Sequence, residues 1–332
     1  MKLKAMVLEK QSEIEKEPLK YSDLEKPTPR EDEVLIEIEA CGVCRTDLHV
    51  IEGDLPPRKL PLIPGHQIVG KVKEAGGSLE EYLGKRVGLP WLYWTCGSCK
   101  FCARGEENLC EKAEFTGYTV DGGYSEYVLA KKDFFYELPE DLNPEEMAPW
   151  LCGGVIGYRA FKLSGASEGE KLGLYGFGSS AHMIIQVSTH LGIENYVFTR
   201  GEKHRELAER LGAKWTGFPT DRPPEKLDAA IIFAPAGELV IEALKNLDKG
   251  GRLVLAGIHM TNIPEMRYSL IYDERSIKSV ANSTRGDVKE FISLAREIPV
   301  KTRTETFKLR EANEALIKLK KGEISGTAVL KI

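Results

Sequence analysis

Amides are scarce in this sequence: its 332 residues include 3 Gln and 7 Asn against 39 Glu. Few thermolabile amides beside abundant Lys and Glu is a composition reported for heat-adapted proteins, so a thermophilic chain is expected; ordinary compositional drift is the other reading. No apolar run approaches the ~18 residues of a membrane span. The opening MKLKAMVLEK has no apolar core of a signal peptide. Strongly basic blocks are also missing, and the net charge is 46 − 51 = −5. That argues against an electrostatic footprint for nucleic acid. The expectation is a soluble, cytoplasmic protein with neither a nucleic-acid nor a membrane partner. With 42% hydrophobic and 29% charged residues, the chain is not disordered or collagenous. Its length is about twice the ~150 residues of one domain, so two domains are expected.

Cysteine is the informative residue. Four of seven fall within fifteen positions: Cys96, Cys99, Cys102 and Cys110. In a reducing compartment such a cluster holds metal more often than disulfides. Four thiolates on short loops close a tetrahedron around zinc with no open position, the mark of a structural site. Gly97 and Gly105 let the backbone turn around the ion. The flanking charges Lys100, Arg104, Glu106, Glu107, Glu111 and Glu114 are more acidic than basic, against a nucleic-acid finger. The remaining cysteines are scattered. A catalytic zinc takes three protein ligands and leaves one position open, and Cys44, His66 and Cys152 are candidates. Taken singly each stays ambiguous, because a free Cys is usually a small buried hydrophobe and a lone His is usually a satisfied core residue.

From about Ser167 the pattern changes to short apolar runs alternating with helical segments. Leu172–Gly176 ends in glycine, and Gly176-Phe-Gly178-Ser-Ser-Ala181 opens a helix. This is a GxGxxA dinucleotide turn in the required strand–turn–helix context. Gly176 makes the turn, Gly178 admits a pyrophosphate, and Ala181 lets helix and strand pack closely. Strands are expected at Asn195–Thr199, Asp228–Ala234, Arg252–Gly257 and Ser276–Ala281. Helices are expected at Lys203–Leu211, ended by Gly212, and at Glu238–Leu247. This is the alternation of a doubly wound parallel sheet. The first part has short strands instead, at 34–39, 68–72 and 124–130. The chain ends with a helix near Glu311–Lys320 and a strand over Ala328–Ile332.

CGVCRTDLHV, PGHQIVG, the four-cysteine lobe, TGYTVDGGYSEYV, LCGGVIGYRA and GFGSSA follow one another in an order that resembles the zinc-dependent alcohol dehydrogenases of the medium-chain dehydrogenase/reductase family. The resemblance runs through nearly the whole chain. It implies an α/β architecture: a β-rich GroES-like catalytic domain over 1–152 and 285–332, and a doubly wound Rossmann cofactor domain over 153–284. The active site would lie in the cleft between them. Cys44, His66 and Cys152 are implied as catalytic zinc ligands, giving two zinc ions per chain. Cys41 matches no ligand position and reads as a buried small residue. A cysteine rather than a carboxylate at 152 resembles the alcohol branch and not the polyol branch.

Thr46 and His49 match the family's proton relay, in which the substrate hydroxyl's proton passes by way of the threonine and the cofactor ribose to the histidine. A hydroxyl both donates and accepts, and imidazole exchanges protons near neutral pH. Asp47 resembles the carboxylate that orients a ligating histidine. Arg45 occupies a pyrophosphate-contacting position. Trp91 aligns with an aromatic pocket wall, Leu55 replaces a bulkier residue there, and Tyr118 and Trp150 are possible neighbours. Three departures stand out: Gln67 for a usual Glu, Ile156 for a common Thr, and Thr327 for a common Arg.

The expected activity is NAD(P)-dependent oxidation of a primary alcohol, or aldehyde reduction, by a homo-oligomer (tetramer or dimer). Alternatives are a secondary-alcohol or polyol dehydrogenase and a non-catalytic zinc-binding interaction protein. In an NAD-specific turn a carboxylate lies about 20 residues past the glycines. Here the strand end reads Phe198, Thr199 and Arg200. Thr199 can hydrogen-bond a 2′-phosphate and Arg200 can pair with it, so NADP is expected over NAD. Lys203 and Arg205 would add to the positive field.

Overall fold

The computed structural model describes residues 2–324 and 326–332. The chain divides into two compact units, 1–152 with 284–289 and 302–332, and 153–283 with 290–301.

The first unit carries β1 (Lys2–Leu8), β2 (Leu19–Glu25), β3 (Glu33–Val43), β4 (Gln67–Ala75), β5 (Arg86–Leu89), β6 (Leu92–Trp94), β7 (Glu114–Phe115), β8 (Tyr127–Lys131) and β9 (Tyr136–Glu137). In its main sheet β3 is central. One edge pairs with β4 along its length, and the other is shared, with β8 taking residues 33–37 and the last strand of the chain taking residues 40–43. With partners on both edges, β3 is buried along most of its length, although Glu33, Glu37 and Glu39 interrupt its apolar residues, and it extends four residues beyond the expected stop at 39. The strand expected from 124 begins at Tyr127, because residues 122–124 hydrogen-bond to the 63–65 segment instead of joining the sheet.

The second unit holds β10 (Lys171–Tyr175), β11 (Glu194–Phe198), β12 (Ala213–Gly217), β13 (Leu227–Ile232), β14 (Leu247–Leu255) and β15 (Ser276–Ser279). All pair in parallel, in the order β12-β11-β10-β13-β14-β15. That is the doubly wound order, which reverses direction beside β10, where such sheets bind dinucleotides. β12 was not expected from sequence, being a short edge strand of mixed polarity after Gly212. Helices Ser179–His190, Glu202–Arg210 and Glu238–Asn246 make the crossovers.

The last two strands, β16 (Thr304–Lys308) and β17 (Thr327–Lys331), return to the first unit, with β17 antiparallel to β3. The expected boundary at 285 falls at the start of the helix before them, Arg285–Glu297. Residues 290–301 cluster with the second unit, because Phe291 is fully buried there, close against Gly154 and facing Tyr158. Among the described residues, no helix is long and apolar enough to cross a membrane.

Candidate active site

A helix start delivers the first group of site residues. Cys44 is the N-cap of the helix Arg45–Glu52, and Asp47, three residues on, returns its carboxylate to the Cys44 N–H at 2.8 Å. This reciprocal cap holds the first turn rigidly. The Thr46 N–H donates to Cys44 Sγ, with Thr46 Oγ1 3.6 Å from the same sulfur. His66 follows Pro64 and Gly65 at the edge of β4. Gly65 has φ +95°, and a Cβ there would lie 2.3 Å from the Tyr124 ring. Cys152 ends a short 3-10 turn, Ala148–Leu151, which follows the helix Pro144–Met147, capped by the Asn143 side chain.

These three segments bring Cys44, His66 and Cys152 together, with their donor atoms all within 4.8 Å of one another. The two sulfurs are 3.8 Å apart. Two Zn–S bonds of ~2.3 Å at the tetrahedral angle span about that distance. His66 Nδ1 donates to Asp47 Oδ1 at 2.9 Å, while its Nε2 is buried with no hydrogen-bond partner. A buried nitrogen without a partner, facing two thiols and braced by a carboxylate, fits a divalent soft-to-borderline cation.

The electrostatics agree. A hydrogen bond from Cys152 pulls the Cys44 thiol well below its usual range, and the same bond, with burial, raises Cys152 well above it. Burial pushes the His66 imidazole down, but the Asp47 carboxylate and the Cys44 thiolate outweigh it and hold it at about 10. A bound cation would displace these protons.

The second cluster is the lobe of Cys96, Cys99, Cys102 and Cys110, again with every sulfur within 4.8 Å of the others. Neighbouring sulfurs lie 3.5 to 4.0 Å apart. The Ser98 and Cys99 backbone N–H groups lower Cys96 to about 6, whereas burial raises Cys102 to about 11. Glu107, between Cys102 and Cys110, accepts from the Arg285 backbone at 2.7 Å and pairs with its guanidinium at 2.8 Å. By sequence Glu107 is one of the charges flanking the lobe. It is 7% exposed and fastens the lobe to the segment at 285.

Thr46 is buried and His49 half-buried on one helix. The His49 ring is held at Nδ1 by Asp54 Oδ2, 2.7 Å away, a partner the sequence did not reveal. Arg45 is exposed at the first turn. Trp91 meets the His66 ring edge-on at 5.0 Å and stacks with Phe115 and Tyr118. Leu55 belongs to the same apolar cluster. Trp150 does not: it is a core residue, 2% exposed, with its indole N–H on Thr302. Gln67 is buried with its Oε1 unpartnered. Thr327 is buried at the start of β17, and Ile156 is half-buried in the helix Gly153–Ser164. Cys41 is fully buried.

In the second unit the glycine turn lies at the end of β10. Gly176 has φ +90°, and its missing Cβ leaves room for Ala234, 3.1 Å from where one would stand. A Cβ on Gly178 would meet nothing within 4 Å, so protein packing alone does not demand glycine there. Gly178, with no side chain, is the N-cap of the following helix. Ala181 is fully buried. Thr199 is buried and Arg200 exposed past the end of β11. Arg205 keeps its charge beside the end of β11. It donates to the Thr199 and Arg200 carbonyls and lies 4.6 Å from the Phe218 ring centre.

Known proteins match this arrangement. Residues 30–140 match the alcohol dehydrogenase GroES-like domain and residues 181–297 the zinc-binding dehydrogenase domain. A probable alcohol dehydrogenase of Mycobacterium tuberculosis is 46% identical over 95% of this chain and 93% of its own length. An alcohol dehydrogenase of Geobacillus stearothermophilus is 38% identical over 96% and 97%. Among solved structures, the alcohol dehydrogenase of the hyperthermophilic archaeon Aeropyrum pernix superposes with TM-score 0.88 at 29% identity, over 99% of this chain and all of that one. A likeness this extensive, in sequence as well as fold, makes the chain a member of the zinc-type medium-chain alcohol dehydrogenase family.

Proposed function

We propose that this protein oxidises primary alcohols to aldehydes, and reduces aldehydes in reverse, at the Cys44–His66–Cys152 site. The observation that carries this reading is the unpartnered His66 Nε2 facing two thiols 3.8 Å apart. A zinc ion held by those three residues supplies a Lewis acid for the substrate oxygen, and a nicotinamide carries the hydride. Three protein donors leave one position for substrate. Thr46, beside Cys44, accepts the hydroxyl proton and hands it towards His49, whose ring Asp54 steadies next to solvent. Asp47 keeps His66 oriented. Trp91, Phe115, Tyr118 and Leu55 offer a flat apolar wall beside His66 for the carbon chain of the alcohol.

The four-cysteine lobe holds a second, structural zinc, so the chain carries two ions. The turn Gly176–Ala181 would hold the cofactor's pyrophosphate, and the family resemblance offers Arg45 as a further contact for it. NADP is preferred, since Thr199 and the exposed Arg200 stand where an NAD-specific turn places a carboxylate. Seven cysteines with no disulfide among the described residues suit a reducing cytoplasm, and the Lys/Glu-rich, amide-poor composition suits a thermophile. The family resemblance favours a homo-oligomer, a tetramer or dimer.

A scan of primary and secondary alcohols with both nicotinamides tests the activity, with zinc content measured in wild type and Cys152→Ala. Two zinc ions and primary-alcohol oxidation in wild type, against one ion and no turnover in the variant, are expected. A single zinc in active wild-type protein refutes the ligand assignment.

A further inference from the structure

Residues 122–124 run beside the segment that carries His66. Gly122, Gly123 and Tyr124 donate their backbone N–H groups to Ile63, Gly65 and Pro64 at 2.7, 2.9 and 2.9 Å. The Tyr124 carbonyl accepts from Met6 of β1 at 2.8 Å, so this strip is tied on both sides. It seats the Tyr124 ring, fully buried, in the space that a side chain at Gly65 would need. The phenol then reaches Asp47 Oδ2 at 3.0 Å.

Asp47 is 1% exposed and accepts three hydrogen bonds, from His66 Nδ1, the Cys44 N–H and the Tyr124 O–H. Its carboxylate thus ties two candidate ligands, 22 positions apart in sequence, to one point. Oδ1 serves His66. Oδ2 serves both Cys44 and Tyr124, so three donors on two oxygens constrain the carboxyl plane. Without the phenol, the plane would be set by the two ligand-bearing segments alone.

We propose that Tyr124 is a positioning residue for the catalytic metal: its O–H sets the Asp47 carboxylate, which sets the His66 ring and the Cys44 backbone. The inference rests on the reading of Cys44, His66 and Cys152 as zinc ligands. It needs no contact between Tyr124 and the ion.

The test is Tyr124→Phe, which keeps the ring against Gly65 and removes only the hydroxyl. The matched control is Tyr127→Phe, which removes a phenol bonded to Glu37 Oε1 at 3.0 Å in the same unit. Full-length proteins are loaded with zinc or Co(II), challenged with a chelating dye, and followed by metal content and by the Co(II) absorption spectrum. Losing a group that braces a metal ligand typically weakens binding ~10–100-fold. Tyr124→Phe is expected to release one of its two ions that much more readily, with a shifted cobalt spectrum and unchanged circular dichroism. Tyr127→Phe should behave as wild type. Wild-type metal retention and cobalt spectrum in Tyr124→Phe would overturn the proposal, as would loss of both ions together with the fold. Wild type holding one ion, equal to Cys152→Ala, would instead overturn the ligand reading and take this inference with it.

Discussion

Metal uptake at the Cys44–His66–Cys152 site should strengthen steeply as pH rises. Burial opposes a charged imidazole at His66, but Asp47 and the Cys44 thiolate prevail and hold its pKa at about 10, up from 6.5. Cys152 keeps its proton well above the usual thiol range, chiefly through its hydrogen bond to Cys44. Both protons are therefore in place at neutral pH, and both sit on atoms a cation must use. For His66 alone, displacing a proton three pH units below its pKa costs on the order of 4 kcal/mol. Two released protons make the binding constant climb about 100-fold per pH unit over a window from roughly pH 6.5 to 9.

The sign reverses for the metal-free fold. A raised His66 pKa contributes stability that is fully present below 6.5 and is lost as pH rises through about 10. The Cys44 thiol, held well below its usual range, contributes in the opposite sense as pH rises towards 9.0, so the apoprotein should lose stability chiefly above that, a loss the loaded protein does not share. Competition with a chelator of known affinity, run at several pH values on apoprotein whose lobe is already filled, measures the slope. Cys152→Ala supplies the background from the lobe, where Cys102 titrates high and Cys96 low. A change of less than about tenfold per pH unit would refute the proton count.

Thr46→Val keeps the shape and deletes the hydroxyl, and turnover should fall ~10²–10⁴-fold; wild-type kcat at neutral pH would remove Thr46 from the relay. Arg200→Ala should lower kcat/KM for NADP while sparing NAD, and added salt should erode the wild-type preference by screening the phosphate contact. A clear NAD preference unchanged by the substitution would count against this reading of the β11 end. Glu107→Gln weakens the pairing of Arg285, which packs over the Phe134 ring. The expected cost is ~1–3 kcal/mol, read as a lower Tm of the zinc-loaded protein, and an unchanged Tm would mean the pair does not fasten the lobe.

Local chemistry was legible in the sequence wherever a feature depends on neighbours along the chain. The lobe spacing of Cys96, Cys99, Cys102 and Cys110 sets how four sulfurs can meet, because the loops between them are too short to allow much else. The glycine turn at 176–181 could be read for the same reason, as could the parallel strands, whose buried faces leave apolar runs. Cys44 and Asp47 share one helix cap, so their pairing is written in four residues.

Other contacts were decided only by the tertiary fold. His66 meets Cys44 and Cys152 across separations of 22 and 86 residues, and composition alone left each indistinguishable from a core residue. Tyr124 on Asp47, Asp54 on His49, and Arg285 on Glu107 are side-chain bonds whose partners look like ordinary strand or surface residues until the chain closes. The assignment of residues 290–301 to the second unit follows from where Phe291 finds its packing, not from its place after residue 285. Sequence determines which donors and turns are available, because those are properties of single residues and short loops. The folded chain decides which donors face one another, because most polar atoms that enter the core must find a partner or a ligand.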